Sequence, residues 1–290
     1  MMDKIIDGKK ISENILEELK KKISKIGQNK IGLAFILIGD NPASKTYVKM
    51  KQRVCKNIGI QSYYLELEKT VSEDEILIEL DKLNKNNNVH GILIQMPLPP
   101  HINEKRIIYA IDPKKDVDGF HPINLGKLML GEQDIFFPCT PYGIKILLER
   151  ENIEIEKKHL VILGRSNIVG KPLFNILIQN QKGCNATITM LHSKTDNIKK
   201  YTTLADILIS AIGKPLFIKE DMIKKDSIII DVGINRIWDN EKSKIVGDVD
   251  FENVLNKVKK ITPVPGGVGP MTIAMLMENC YKSFIKKLSL

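Results

Sequence analysis

In the stretch SKTYVKMKQRVC, residues 44–55, a lysine stands where a helix would bury it. Residues three and four apart are neighbours on a helix. Those of Lys51 are Tyr47, Val48, Val54 and Cys55, all largely apolar, whereas those of Lys49 are Lys45, Thr46, Gln52 and Arg53, an ordinary wet face. Two readings are open. The side chain can snorkel, with its methylenes on the core and its ammonium in water. Or it is a working amine, kept partly dry so that its pKa falls into the range where it exchanges protons.

Other stretches carry candidate chemistry. VILGRSNIVGKP, residues 161–172, passes from strand to helix through Gly164. A glycine there lets the backbone approach a phosphate at a helix N-terminus. The spacing is G-x-x-x-x-x-G rather than G-x-G-x-x-G, so a tight packing turn fits as well. Arg165, one of only five arginines, follows directly, and an arginine in that place suits the 2′-phosphate of NADP. DVGI at 231–234 ends another apolar run and would lie on the same carboxyl edge, where open α/β sheets take ligands. DVDGF at 116–120 supplies two carboxylates without clear metal partners, and Asp116 reads as solvated turn chemistry. PGGVGP at 265–270 allows close backbone approach to a flat ligand, or merely a sharp entry into the last helix. Gln95 ends an apolar strand, facing a cleft or serving as a satisfied edge residue. His90, His101, His159 and His192 are scattered, with no pairing that suggests a hydrolase triad.

The elements that must position these residues alternate. Residues 8–26 carry Ile11, Ile15, Leu19, Ile23 and Ile26 at helical period. IGLAFILIG reads as a buried strand, the Lys51 helix follows, and SYYLEL is a second strand. SEDEILIELDKL opens with Ser72 and Glu75 at capping-box spacing, and VHGILIQ is another strand. Met96–Pro141 is rich in proline and less periodic, the signature of long functional loops. Alternation then resumes with strands HLVILG, TITMLHS, ADILISAIG and SIIIDVGI, a helix at KPLFNILIQN, a hairpin over 237–249, a short helix near 250–259 and a closing helix from Met271. This predicts an α/β protein of two lobes with mostly parallel sheets, the second Rossmann-like, with an active-site cleft between them. The boundary falls near residue 140: residues 1–140 form one domain and 141–270 the other, and the helix 271–290 returns to the first.

Composition narrows the class. The chain of 290 residues is 43% hydrophobic and 27% charged, ordinary for a globular protein. No apolar run reaches the roughly 18 residues of a membrane span, and the N-terminus MMDKIIDGKK lacks the pattern of a signal or transit peptide. Cys55, Cys139, Cys184 and Cys280 lack zinc or redox spacing, which points to buried free thiols in a reduced cytoplasm. The net charge of +9 comes from lysine rather than arginine, whereas nucleic-acid binders rely on arginine's planar fork.

Together these motifs resemble the bifunctional methylenetetrahydrofolate dehydrogenase/cyclohydrolase family along almost the whole chain. ASKTYVKMK is similar to the family's Ser-x-x-Tyr-x-x-x-Lys helix, GILIQMPLP to its active-site strand, and PKKDVDGFHPINLGKL to its folate-binding loop. PCTPYG, VILGRSNIVGKP, LHSKT, DVGIN, VGDV and ITPVPGGVGPMT follow in the family's order. The resemblance implies an enzyme of one-carbon metabolism that oxidises 5,10-methylenetetrahydrofolate with NADP and hydrolyses the 5,10-methenyl product to 10-formyltetrahydrofolate. It implies that Lys51 is the catalytic lysine, with Tyr47 beside it against the folate, Gln95 holding the amine and Asp118 binding the pterin. Gly164, Arg165, Ser166, Ser193 and Ile234 would bind the cofactor, and Pro265, Gly266 and Gly269 the substrate. No metal, nucleic acid or membrane is expected, and the implied assembly is a homodimer. The chemistry of Asp118 agrees, because a pterin edge presents a ring N–H beside an exocyclic amine and an ionised carboxylate accepts from both.

Three rival readings fare worse. Tyr-x-x-x-Lys also marks short-chain dehydrogenases, but there the glycine turn comes first, and here Tyr47 and Lys51 precede Gly164 by more than a hundred residues. An NADP-dependent dehydrogenase of another small acid explains the architecture but not DVDGF and PGGVGP together. A basic nucleic-acid-binding module explains only the charge.

Overall fold

The computed structural model describes residues 2–27, 30–239 and 242–288. The chain divides into two compact units, one of Asn14–Cys139 with Ile273–Leu290, the other of the residues up to Glu13 with Thr140–Thr272.

In the first unit, the part of helix α1 (Gly8–Ile23) from Asn14 on leads into strand β1 (Gly32–Ile38), buried at every position. Helix α2 (Pro42–Ile58) follows, then β2 (Gln61–Leu67), α3 (Glu73–Lys85) and β3 (Gly91–Ile94). The strands form a parallel sheet in the order β2-β1-β3. Its central strand is apolar throughout because both faces are covered. On one face Ile36 and Ile92 pack in a buried cluster with Ile76 and Leu80 of α3. The ends of α2 are written locally. The Asn41 side chain accepts from the Ala43 and Ser44 N–H groups, Pro42 opens the first turn, and Gly59 closes the helix in left-handed conformation with φ 88°. Ser72 and Glu75 form the expected capping box on α3.

The proline-rich region holds two short helices that periodicity does not reveal, α4 (Glu104–Tyr109) and α5 (Pro122–Met129). At six and eight residues they are too short to show a repeat. Their caps locate them: Asn103 accepts from the Arg106 N–H, and His121 Nδ1 accepts from the Ile123 N–H with Pro122 at the first position.

The second unit begins with most of α6 (Cys139–Arg150), followed by β4 (His159–Leu163), α7 (Gly170–Leu177), β5 (Thr187–Leu191), α8 (Ile198–Thr202), β6 (Ile207–Ser210) and β7 (Ile228–Asp231). After them come the antiparallel hairpin β8 (Asn235–Asp239) and β9 (Lys242–Val246), then α9 (Phe251–Val254), β10 (Lys260–Ile261) and the start of α10 (Val268–Leu288), which from Ile273 on belongs to the first unit. The hairpin starts two residues before the expected 237, and its positions 240–241 lie outside the described residues, as do 289–290 of the closing helix. The main sheet runs β10-β7-β6-β4-β5, all parallel. Sequential order reverses on either side of β4, which makes a switch point at the carboxyl ends of β4 and β6. β7 stops at Asp231 rather than running on through the glycine, because the Asp231 carboxylate takes the Gly233 N–H at 3.0 Å. Helix α10 begins at Val268, before the expected Met271. Pro270 is tolerated there because the first N–H groups of a helix have no partner within it.

All four cysteines are free and buried. Among the described residues no helix is long and apolar enough to cross a membrane, and no group of three or more His, Cys, Asp or Glu could hold a metal ion.

Candidate active site

Lys51 projects from α2, the helix after β1, and Gln95 follows β3, so both stand at the carboxyl edge of the first sheet. Lys51 Nζ donates to Gln95 Oε1 at 3.0 Å, and Gln95 Nε2 donates to the Met96 carbonyl at 2.8 Å. The amide has one possible sense here, because an ammonium only donates and a carbonyl only accepts. Val48 and Cys55 beside Lys51 are buried. Burial lowers the Lys51 pKa, and the nearby Asp118 carboxylate opposes the fall. Cys139 would oppose it too, but only once ionised. Burial and the Asp118 charge push its thiol well above the usual range, so at neutral pH it is a neutral neighbour. Tyr47 lies one turn before Lys51, 37% exposed, and its hydroxyl has no hydrogen bond among the described residues.

The loop after α4 brings Asp118 to this lysine, and Asp116 builds the loop. Asp116 Oδ1 accepts from the N–H groups of Gly119 and Phe120, both at 3.2 Å, and Oδ2 from the His121 N–H and Asn124 Nδ2, both at 2.8 Å. The expected turn chemistry is therefore present but not solvated, since Asp116 is 1% exposed. A carboxylate that satisfies four donors can be buried where a free one could not. Gly119 has φ 79°, and a Cβ there would stand 2.6 Å from the backbone of Phe137 and Pro138, so only glycine fits. Asn279 of α10 ties the loop down, donating to the carbonyls of Val117 and Phe137, each at 2.9 Å. Asp118 is left half-buried. Burial pushes its carboxyl up to about 6, against the pull of Lys51 and a hydrogen bond from the Cys139 thiol. That thiol has one proton, shared between Asp118 and the Val117 carbonyl 3.2 Å away.

A second constellation occupies the carboxyl edge of the five-stranded sheet. Gly164 leaves β4 with φ 126°, and a Cβ there would meet the Ala211 carbonyl oxygen at 2.3 Å. A Cβ at Gly170 would meet the Gly164 carbonyl oxygen at 2.2 Å. The unusual glycine spacing is thus what this turn requires. Ser166 Oγ accepts from the Val169 and Gly170 N–H groups at 3.1 and 3.4 Å, which leaves its own proton to donate outward. Leu163 and Leu191 are register partners in β4 and β5, and Arg165 and Ser193 each follow two residues on, past the same edge of the sheet. Both are exposed, and neither has a hydrogen bond or ion pair among the described residues. An exposed glycine-flanked turn with an uncommitted guanidinium and two hydroxyls fits a phosphorylated dinucleotide.

Lys51, Tyr47, Gln95 and Asp118 therefore share the first unit. Gly164, Arg165, Ser166, Ser193 and Ile234 share the second, and Pro265, Gly266 and Gly269 belong with them. Gly266 has φ 107° and its carbonyl accepts from the Lys9 N–H at 2.8 Å; a Cβ at Gly269 would lie 3.9 Å from Ile234. Sequence reasoning missed Asp116, Cys139 and Asn279 as the supports of Asp118. DVDGF and PCTPYG held the first two in plain view, but Asn279 had no local signal.

Residues 6–118 match the tetrahydrofolate dehydrogenase/cyclohydrolase catalytic domain, and residues 138–288 match the NAD(P)-binding domain of the same family. The bifunctional protein FolD of Protochlamydia amoebophila is 53% identical over 99% of this chain and 99% of its own. Among solved structures, the bifunctional FolD enzyme of Campylobacter jejuni is 48% identical with TM-score 0.93, covering 98% of this chain and 99% of its own. The Trypanosoma brucei dehydrogenase-cyclohydrolase, complexed with NADP cofactor and inhibitor, is 33% identical with TM-score 0.93, covering 99% of this chain and 98% of its own. The chain, matched by both the catalytic and the NAD(P)-binding domain of that family, belongs to the tetrahydrofolate dehydrogenase/cyclohydrolase family.

Proposed function

We propose that Lys51 is the acid–base group of the hydrolytic step, that Asp118 holds the pterin edge, and that Arg165 selects NADP over NAD. The enzyme oxidises 5,10-methylenetetrahydrofolate to the 5,10-methenyl form and hydrolyses that product to 10-formyltetrahydrofolate. The observation that carries the residue roles is the 3.0 Å hydrogen bond from Lys51 Nζ to Gln95 Oε1, with Asp118 close enough to bias the charge on the amine.

A dinucleotide held by Gly164, Arg165, Ser166, Ser193 and Ile234 would supply the hydride acceptor, and hydride transfer from the methylene carbon would need no proton from the protein. Lys51 and Tyr47 then act by holding the folate in place. Hydrolysis differs, because attacking water must lose a proton and the departing ring nitrogen must gain one. A partly desolvated lysine takes the first as an amine and returns the second as an ammonium, a contribution of roughly 10²–10⁴ in rate. Gln95, fixed by Met96, directs the amine. The free guanidinium of Arg165, with the hydroxyls of Ser166 and Ser193, supports NADP as the cofactor, as does the NADP bound by the Trypanosoma brucei relative. Pro265, Gly266 and Gly269 complete the substrate-binding set. The domain carrying Lys51 binds folate, and the five-stranded one binds the cofactor. Two copies form a homodimer in the cytoplasm, with no nucleic acid or membrane as partner; the scarcity of arginine in a chain of net charge +9 supports the former.

One spectrophotometric assay tests the reading. With methylenetetrahydrofolate and either NADP or NAD, methenyltetrahydrofolate should rise with NADP and then decay enzymatically. A preference for NAD, or a methenyl product that decays only at the buffer rate, would contradict it.

A further inference from the structure

Asp248 lies just past β9 with its side chain fully buried. Its oxygens accept five hydrogen bonds. Oδ2 takes the Ser210 hydroxyl at 3.2 Å and the N–H groups of Ile212 and Gly213 at 2.8 and 3.2 Å. Oδ1 takes the Lys214 N–H at 3.0 Å and Asn235 Nδ2 at 2.9 Å. Asp231 completes the arrangement, accepting from the N–H groups of Gly233 (3.0 Å), Asp248 (2.9 Å) and Val249 (2.9 Å). Two glycines make room. A Cβ at Gly233 would stand 2.3 Å from Asp248 Oδ1, and one at Gly247 would stand 1.8 Å from Asp231 Oδ2.

A buried carboxylate that gathers three consecutive backbone N–H groups fixes a loop rather than a sheet. The loop is 212–214, directly after β6, and the Asn235 contact reaches the segment directly after β7. Both lie on the carboxyl edge near the switch point, where such sheets take ligands. Between the tied residues Gly233 and Asn235 stands Ile234, an apolar side chain left 52% exposed. Holding an isoleucine in the open by its two neighbours is how a rigid apolar platform for a planar ring is made.

We infer that Asp248 is a positioning residue for the dinucleotide: through loop 212–214 and Asn235 it sets the backbone that presents Ile234 to the cofactor. This rests on the assignment of Ile234 and Arg165 to the cofactor site. Asp248→Asn puts an N–H₂ among N–H donors. Asn235→Ala removes one link and leaves the carboxylate and its backbone donors in place.

The test is calorimetric titration of NADP into wild type, Asp248→Asn, Asn235→Ala and Arg165→Ala, with a thermal melt of each. Losing hydrogen bonds to a buried charge should weaken NADP about tenfold or more in Asp248→Asn and about threefold in Asn235→Ala. Asn235→Ala should melt within a few degrees of wild type, since the other four bonds to Asp248 remain. Should Asp248→Asn fail to fold, Asn235→Ala decides alone. Wild-type affinity in Asn235→Ala and in any folded Asp248→Asn, with weakened binding in Arg165→Ala, would overturn the inference and leave the cofactor site standing. Wild-type affinity in all of them would remove the site assignment and this inference with it.

Discussion

Asp118→Asn should strengthen the fold while it weakens the enzyme. Burial raises the Asp118 carboxyl from 3.8 to about 6. A carboxyl raised in the folded state costs stability wherever the unfolded chain ionises more readily than the folded one. Below about 3.8 there is no difference; as pH rises from about 3.8 to about 6 the unfolded chain gives up its proton first and stability is lost, and above about 6 the loss is complete. Two units correspond to about 3 kcal/mol, reached above pH 6, with about half of it already present at pH 5. An asparagine carries no such penalty. The pull of Lys51 is already contained in that net shift, and about 3 kcal/mol is therefore the ceiling, with about 1–3 kcal/mol expected at pH 8. That is a rise of a few degrees in Tm. Thermal melts of both proteins at pH 5 and pH 8 measure it, and the gap should widen at the higher pH. The pterin edge, in contrast, would meet a donor where it needs an acceptor, so folate affinity should fall about tenfold or more. A variant destabilised at pH 8, or one that binds folate as wild type does, would refute the reasoning.

Wild-type folate affinity should itself fall as pH drops through about 6, where the Asp118 carboxyl gains its proton, and flat binding between pH 5 and 8 would contradict this. Arg165→Ala should weaken NADP about tenfold or more while NAD changes little, since charge-assisted hydrogen bonds contribute about 1.5–3 kcal/mol; equal loss for both, read by titration, would mean that Arg165 does not read the 2′-phosphate. Asp116→Ala strands the four donors that its carboxylate satisfies and should cost about 3 kcal/mol or more along with folate binding. A denaturant midpoint near that of wild type would show the loop to be held by something else.

Much of this was legible in the sequence because its signals are local. Gly59 and the Ser72–Glu75 pair end and begin helices by chemistry within a turn of themselves. IGLAFILIG announced a strand covered on both faces by being apolar at every place. Lys51 stood out because its helical neighbours are apolar, and the structure finds it half-buried with a depressed pKa. What stayed hidden depends on partners distant in the chain. Asp116 looked like a surface turn because nothing in DVDGF says that Asn124 will turn back to it. Gly170 could not be seen to pack on the carbonyl of Gly164, so the glycine spacing looked merely irregular. Asn279 reaches Val117 across 162 positions, and no pattern on its own helix marks it. Helices α4 and α5 lacked the length for a repeat, and only their caps could have placed them.

Whether Lys51 moves a proton is tested most directly by replacing it with methionine. In Lys51→Met the apolar stripe is kept, so the fold has no reason to fail, but the amine that donates to Gln95 is gone. Methenyltetrahydrofolate should accumulate during oxidation by the variant and hydrolyse no faster than in buffer, a loss of roughly 10²–10⁴, while hydride transfer suffers less. Hydrolysis of methenyltetrahydrofolate by Lys51→Met at near the wild-type rate would mean that the lysine only snorkels, and would contradict the acid–base role assigned to it.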